Sequence, residues 1–136
     1  MKKLILIAVA ALLFACQSSN SPEKTLKQFF DYTFEMEIAN HPEILLSKSG
    51  DPLSEKELKE YGEFVEWGLN TSKEEHKLEK IVIENFEVVE VKYNEAKDKA
   101  TIKYKLSIQG IDNGDDNAVS KKMVKVDDAW RVVVEV

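Results

Sequence analysis

The sequence predicts an α+β fold, in which N-terminal helices pack on a curved, roughly four-stranded antiparallel sheet. Between residues 22 and 69, apolar residues recur at the three- and four-residue spacing of an amphipathic helix. From residue 81 onward they alternate with polar residues, which is the period of a β-strand. Because the helices come first and the strands follow in one run, the pattern favours separate helical and sheet layers.

Two helices are predicted from their boundary signals. The first runs from Pro22 to about Ala39, with Ser21 as N-cap, and ends before Pro42 because the residue preceding a proline avoids helical backbone angles. Residues 42–47 are expected to add one apolar turn. The second helix runs from Glu55 to about Leu69, and its start is a capping box formed by Ser54 and Glu57. Phe64 and Trp67 flank its apolar face, and residues 71–77 are interpreted as a charged connector.

The first two strands differ in how clearly they alternate. Residues 81–93 are rich in β-formers, and one face would carry Ile81, Ile83, Val89, Val91 and Tyr93. Phe86 and Val88 are out of phase with that face, so a bulge is expected near Asn85. The segment Ala100–Ile108 alternates without interruption, which predicts one buried and one solvated face.

The last two strands are predicted over residues 118–126 and 130–136. Asn113-Gly114 marks the hairpin before the third strand, and Asp127-Asp128 is a tight turn before the fourth. Trp130 opens the final strand and shares its parity with Val132. We therefore expect the Trp130 ring to face the helices and to pack against Phe30 or Phe34.

The first sixteen residues carry an export signal. Lys2 and Lys3 precede an apolar run, Leu4–Ala15, that is shorter than the about 20 residues a membrane span needs. The run ends at Cys16, the one cysteine in the chain. The ending Leu13-Phe14-Ala15-Cys16 resembles the lipobox of bacterial lipoproteins, although Phe14 departs from the residues usual at that position.

The lipobox resemblance implies an anchor and a location. Cys16 would receive diacylglycerol and the peptide would be cut before it, leaving 1–15 as the signal, 16–21 as a lipidated tether and 22–136 as the domain. Two or more acyl chains retain a protein durably, whereas one chain does so only marginally. The protein is then expected in the bacterial cell envelope, facing the periplasm or the exterior. The choice between inner and outer membrane stays open.

A second resemblance concerns the domain. The helix start Ser21-Pro22-Glu23 with Phe29 and Phe30 behind it, and the ending Val126-Asp127-Asp128-Ala129-Trp130-Arg131-Val132-Val133, resemble the NTF2-like (cystatin-like) superfamily. More narrowly, the chain is similar to small bacterial lipoproteins of the DUF4878 type. This resemblance implies helices on a concave sheet that can hold a ligand or a partner.

Composition and motifs exclude several classes of partner. The net charge of −6 argues against nucleic acid, and loss of Lys2 and Lys3 with the signal makes the rest more acidic. No cofactor is predicted. Asp112, Asp115 and Asp116 lack the order of ligands in an EF-hand, so a solvated hairpin tip is favoured over a metal site. No catalytic constellation is visible.

Aromatic side chains are the candidate pocket residues, although plain core packing is the favoured alternative for them. The candidates are Tyr32, Tyr61, Trp67 and Tyr104, whose side chains have polar tips, together with Phe30.

Three functions remain open from the sequence. The leading hypothesis is a non-enzymatic, membrane-anchored domain that binds a small apolar ligand or an envelope protein. The alternatives are an enzyme that uses an NTF2-like cavity with a buried acid near Tyr32 or Tyr61, and a purely structural envelope lipoprotein whose core is filled.

Overall fold

A computed structural model of the chain describes residues 21–111 and 118–135. The described elements are the helices α1 (Pro22–Phe34) and α2 (Glu55–His76) and the strands β1 (Leu45–Ser47), β2 (Ile83–Tyr93), β3 (Lys99–Ile108), β4 (Val119–Val126) and β5 (Ala129–Val134). The strands form one sheet in the order β1-β5-β4-β3-β2. The predicted α+β class is confirmed. Cys16, the residues of the tether before Ser21, and the acidic hairpin tip at residues 112–117 lie outside the described residues.

The four predicted strands are present and pair antiparallel, but the sheet has a fifth strand and is mixed, so the predicted strand count and the purely antiparallel pairing are wrong. The additional strand is β1, which pairs in parallel with β5, with Leu45 opposite Val132 and Ser47 opposite Val134. The turn expected over residues 42–47 is limited to the 3-10 segment Pro42–Ile44. A strand of three residues is too short to show an alternating pattern, and its conformation is fixed by the ladder it forms with β5.

Helix α1 begins as predicted but ends five residues early. The Ser21 hydroxyl accepts a hydrogen bond from the Lys24 N–H at 3.1 Å, which caps the helix. After Phe34, Met36 adopts a φ of +60°, outside the helical region, and turns the chain. This turn places the Ile38 side chain in the core, where it is 1% exposed. The gain from burying Ile38 accounts for the early end of the helix.

Helix α2 is longer than predicted. Its capping box is confirmed, since the Ser54 N–H donates to Glu57 Oε1 at 2.9 Å and the Glu57 N–H donates to Ser54 Oγ at 3.1 Å. The helix continues through the predicted connector to His76 and ends where Lys77 takes a φ of +54°. Leu78 then packs on Gly110, where any β-carbon would come within 2.6 Å of Leu78 Cδ2. This apolar contact beyond the helix end favours the extra turns.

The β2–β3 hairpin contains two bulges. One lies between Ile83 and Asn85, as predicted, and the other lies between Val88 and Glu90. The second bulge leaves Val89 47% exposed, whereas Val88 pairs opposite Tyr104. The expectation that Val89 lies on the buried face is therefore wrong, because each bulge shifts the register by one residue.

The core lies between α1 and the sheet. Its fully or nearly buried side chains include Leu26, Phe29, Phe30, Ile38, Leu45, Ala100, Ile102, Tyr104, Met123, Trp130, Val132 and Val134. The predicted alternation of β3 is confirmed at its first three core positions, while Leu106 and Ile108 are half-buried. Since every residue of this cluster follows Ser21, the segment from Ser21 onward contains all the parts of the described core.

Trp130 faces the core as predicted, but its aromatic neighbour is different. The ring is 5% exposed and its centroid lies 6.1 Å from that of Tyr93 on β2. The Lys125 ammonium lies 5.9 Å from the centre of the same ring. The expected ring contact with Phe30 or Phe34 is replaced by this one, because the Phe30 ring packs against Phe34, Phe86 and Tyr104 instead.

Candidate functional site

Phe30 and Tyr104 belong to an aromatic cluster inside the core. The Phe30 ring lies 5.1 Å from Tyr104, 5.8 Å from Phe86 and 6.1 Å from Phe34, measured between centroids. Phe30 and Tyr104 are each 7% exposed. Their rings fill the space between α1 and the sheet, which leaves them little area to offer a ligand.

Tyr32 lies apart from those rings and is partly buried against the core. Its ring is stacked on His41, with centroids 3.6 Å apart and planes within 4°. His41 Nδ1 in turn lies 3.1 Å from Glu43 Oε2. A contact between His41 and a carboxylate was not predicted from the sequence, although Glu43 follows His41 by only two residues. All three side chains are at least partly exposed.

Phe64 and Trp67 lie on α2 and are the most exposed aromatic side chains of the described residues, whereas Tyr61 is half-buried beside them. Phe64 and Trp67 are 65% and 64% exposed, and their rings are stacked with centroids 6.3 Å apart. Beside them is a cavity of about 550 Å³ lined by Glu60, Tyr61, Phe64 and Glu135. We call Glu60, Tyr61, Phe64, Trp67 and Glu135 together the α2 surface.

The α2 surface follows from the helical repeat. Tyr61, Val65 and Leu69 are four residues apart and form the stripe that packs towards the domain. Glu60, Phe64 and Trp67 have the same kind of spacing, and they form a neighbouring stripe that faces solvent. The two stripes place Phe64 and Trp67 beside the buried face of the helix but outside it.

Gly62 brings α2 close to the rest of the domain. A β-carbon at Gly62 would lie 3.0 Å from the Ala39 Cβ, in the 3-10 segment Ile38–Asn40. The close contact fixes the position of the helix near Tyr61. The sequence predicts Tyr61 and Trp67 as pocket candidates, but it does not predict Phe64 or Glu135 as part of the same surface.

The charge around the α2 surface is negative. Residues 60–72 contain Glu60, Glu63 and Glu66 and no lysine or arginine. Glu135 contributes a fourth carboxylate, and its Oε2 lies 3.5 Å from Lys48 Nζ in a pair whose side chains are 81% and 77% exposed. An ion pair this exposed adds little to stability.

Lys121 is a half-buried cation that interacts electrostatically with Glu135. Burial lowers the pKa of its ammonium, and the negative charge of Glu135 partly opposes that effect. The ammonium lies 5.4 Å from the centre of the Phe29 ring. The Lys121 ammonium therefore lies against the face of the buried Phe29 ring.

Tyr61 is polar but uncharged at neutral pH. Desolvation by burial raises the pKa of its hydroxyl to about 12. Burial also raises the pKa of Tyr104 and, together with Glu23, that of Tyr93. In the cavity, Tyr61 can donate and accept hydrogen bonds without adding charge.

The free energy of unfolding is expected to fall between pH 10 and pH 12. Over that range an unfolded Tyr61 ionises while the folded state retains the proton, so the unfolded state gains stability. The contribution of Tyr61 is about 2 kcal/mol across the window. Urea titrations at several pH values measure this fall in the free energy of unfolding. In Tyr61→Phe the fall should be smaller, because only Tyr93 and Tyr104 still contribute to it. An equally steep fall in Tyr61→Phe would contradict the assignment.

A larger and more open groove lies between the end of α1 and the start of β2. It encloses about 800 Å³ and its lining includes Lys27, Asp31, Phe34 and Phe86. Lys27 Nζ and Asp31 Oδ1 are 3.1 Å apart, so these opposite charges already satisfy each other. The other charged side chains of its lining, Glu35, Lys80 and Glu84, include both signs, and the groove has no pair of exposed aromatic rings like Phe64 and Trp67 among the described residues.

The described residues hold no buried acid. Thr25 and Ser47 are the buried polar side chains of that part of the chain. Within the same residues, no three histidine, cysteine or acidic side chains are grouped closely enough to hold a metal ion. None of the helices in residues 21–111 and 118–135 is both long and apolar enough to cross a membrane.

No protein-family model matches this chain, and no curated protein is significantly similar to it. The likeness to the NTF2-like superfamily and to lipoproteins of the DUF4878 type therefore stays a prediction from the sequence. The α2 surface is the part of the described structure from which a ligand can be inferred.

Proposed function

We propose that the protein is a lipid-anchored binding domain of the bacterial cell envelope, without catalytic activity of its own, and that the α2 surface is its binding site. The observation that carries this proposal is the stacked pair Phe64 and Trp67, each about two-thirds exposed beside a cavity. Large aromatic side chains contribute most of the energy at binding sites when a partner covers them. Exposure of two such rings to water is energetically unfavourable, and a ligand that covers them would remove this cost.

The NTF2-like assignment forms part of this proposal. It is supported by the order of elements, with α1 and α2 before the long β2–β3 hairpin, and by the buried Trp130 at the start of the last strand. The short β1 beside β5 adds an edge strand to that arrangement. The fold alone does not assign an activity.

The binding site we propose differs from an interior NTF2-like cavity. The space between α1 and the sheet contains the rings of Phe29, Phe30, Phe86 and Tyr104 in mutual contact. A ligand there would have to displace packed core side chains at a cost of several kcal/mol. The outer side of α2 offers aromatic area without that cost.

The proposed anchor is Cys16, and Cys16→Ser tests it. We expect the variant to lose lipid while its domain remains folded, because Cys16 precedes every residue of the core. Palmitate labelling and membrane fractionation of cells that express each form measure the result. Equal labelling of the variant and the parent chain would disprove the anchor.

A neutral apolar probe tests the binding site independently of the anchor. In the segment Ser21–Val136 labelled with 5-fluorotryptophan, Trp67 and Trp130 give two fluorine signals, which Trp67→Phe assigns. Saturating hexan-1-ol should move the Trp67 signal and leave the signal of the buried Trp130 in place. Movement of neither signal, or of Trp130 alone, would argue against a binding site on α2.

A further inference from the structure

We infer that the α2 surface binds small organic ammonium ions, with the cation beside Glu60 and Glu135 and the hydrocarbon part against Phe64 and Trp67. This inference rests on the proposed binding function and adds the chemical class of the ligand.

Two carboxylates and no cation of α2 line the cavity. Glu60 comes from α2 and Glu135 from the residue after β5, and both side chains are exposed. Glu63 and Glu66 increase the negative potential along the same helix. A positive ligand is attracted to such a site, whereas an anion is repelled.

The cations already present do not neutralise the cavity. Lys48 is paired with Glu135 at 3.5 Å, but both side chains are largely in solvent and a ligand can replace the contact. Lys121 is also within electrostatic reach of Glu135, yet its ammonium lies over the Phe29 ring on the core side. Lys56 precedes Glu60 by four residues on α2, but it is exposed, and the ion pairs among the described residues do not include Lys56 and Glu60.

The aromatic part of the surface favours cations as well. The face of a phenyl or indole ring is negative and attracts an ammonium group. Among the described residues, such an interaction joins Lys121 to Phe29 and Lys125 to Trp130. Phe64 and Trp67 present the same kind of ring without a cation of their own.

The size of the site indicates a small molecule. Its volume of about 550 Å³ lies in the range of ordinary ligand pockets, roughly 300–1,000 Å³. A stable protein interface buries about 1,200 Å² or more, whereas the exposed apolar area here is centred on two side chains. A free amine with a short hydrocarbon body fits both the cavity and the adjoining rings.

The test compares three probes of equal length on the fluorotryptophan-labelled segment Ser21–Val136 at pH 7. These probes are hexylammonium, hexan-1-ol and hexanoate, which differ in charge but share the hydrocarbon chain. We expect hexylammonium to shift the Trp67 signal with a Kd about tenfold below that of hexan-1-ol, and hexanoate to bind most weakly. An equal or lower affinity for hexylammonium would overturn the inference.

Matched variants separate a local site from the general negative charge of the protein. Glu60→Gln and Glu135→Gln should each reduce the preference for hexylammonium at least threefold. Glu75→Gln removes the same charge from an exposed position near the end of α2 and should leave the preference unchanged. A similar loss in Glu75→Gln would show that the preference is a property of the whole protein and would also overturn the inference.

The remaining outcomes distinguish this inference from the proposed function. If all three probes move the Trp67 signal with equal affinity, the binding function stands and the preference for cations is wrong. If none of them does, both fail. A lysine-containing tetrapeptide that binds more than tenfold tighter than hexylammonium would replace the free amine with a protein partner.

Discussion

Ile102→Asp is expected to unfold the domain. Ile102 lies in the middle of β3, is 0% exposed, and pairs opposite Val91 on β2. A carboxylate there would have no partner in an apolar environment, and it would cost several kcal/mol whether it stayed charged or took up a proton. That cost is comparable to the whole stability of a small domain, about 5–15 kcal/mol. Circular dichroism melts of the segment Ser21–Val136 measure the loss.

Lys103→Asp is the matched control for this prediction. Lys103 is the next residue of β3, but its side chain is on the solvated face opposite Glu90. The variant places two carboxylates across the strands and should cost less than about 1 kcal/mol. If Lys103→Asp were as damaging as Ile102→Asp, the two faces of β3 would have to be assigned differently.

The second large effect is expected for Trp130→Ala. The indole is 5% exposed and packs against Tyr93 beneath the Lys125 ammonium. Truncation of a buried tryptophan costs about 3–5 kcal/mol, because the apolar contacts are lost and a cavity remains. A chemical denaturation curve of the variant should therefore show a much lower midpoint or no folded baseline.

Trp67→Ala should cost less than about 1 kcal/mol, because surface side chains contribute little to stability and this ring is 64% exposed. The single-tryptophan variants Trp130→Phe and Trp67→Phe provide a second comparison. Emission from Trp130 should be blue-shifted and protected from iodide, and emission from Trp67 should be red-shifted and readily quenched. Ready quenching of Trp130 would mean that β5 does not close the core.

Features with local causes were predictable from the sequence. The Ser21 cap and the Ser54–Glu57 capping box depend on hydrogen bonds between residues three apart, so their motifs are visible in the sequence. The alternation of apolar and polar residues along β3 indicates which side chains face the core. The turn at Asp127 and Asp128, both with positive φ, likewise needs only its own two residues and the strands beside them.

Features that depend on distant partners were not predictable. Strand β1 exists because β5, more than eighty residues later, offers its edge to Leu45–Ser47. Helix α1 stops early because Ile38 is buried among residues from other parts of the chain. The extension of α2 ends where Leu78 meets Gly110, a contact that joins the helix to the end of β3.

The candidate site shows the same division. Tyr61 and Trp67 were selected as aromatics with polar tips, but Tyr104 was selected on the same grounds and is a core residue, as is the candidate Phe30. Helical spacing alone placed Phe64 beside the apolar face, without showing how much of its ring is exposed. Glu135 could not be associated with Glu60 or Tyr61, because 74 positions separate Tyr61 from Glu135 in the sequence.

The sequence by itself determined the α+β class, the starts of both helices, the face of β3 that is buried, and the expectation of a lipid anchor at Cys16. Each of these depends on side chains that are neighbours along the chain. The tertiary structure decided which aromatic residues are buried and which remain in solvent. It also decided that two glutamates 75 positions apart in the sequence share one cavity, since only packing brings the end of β5 beside α2.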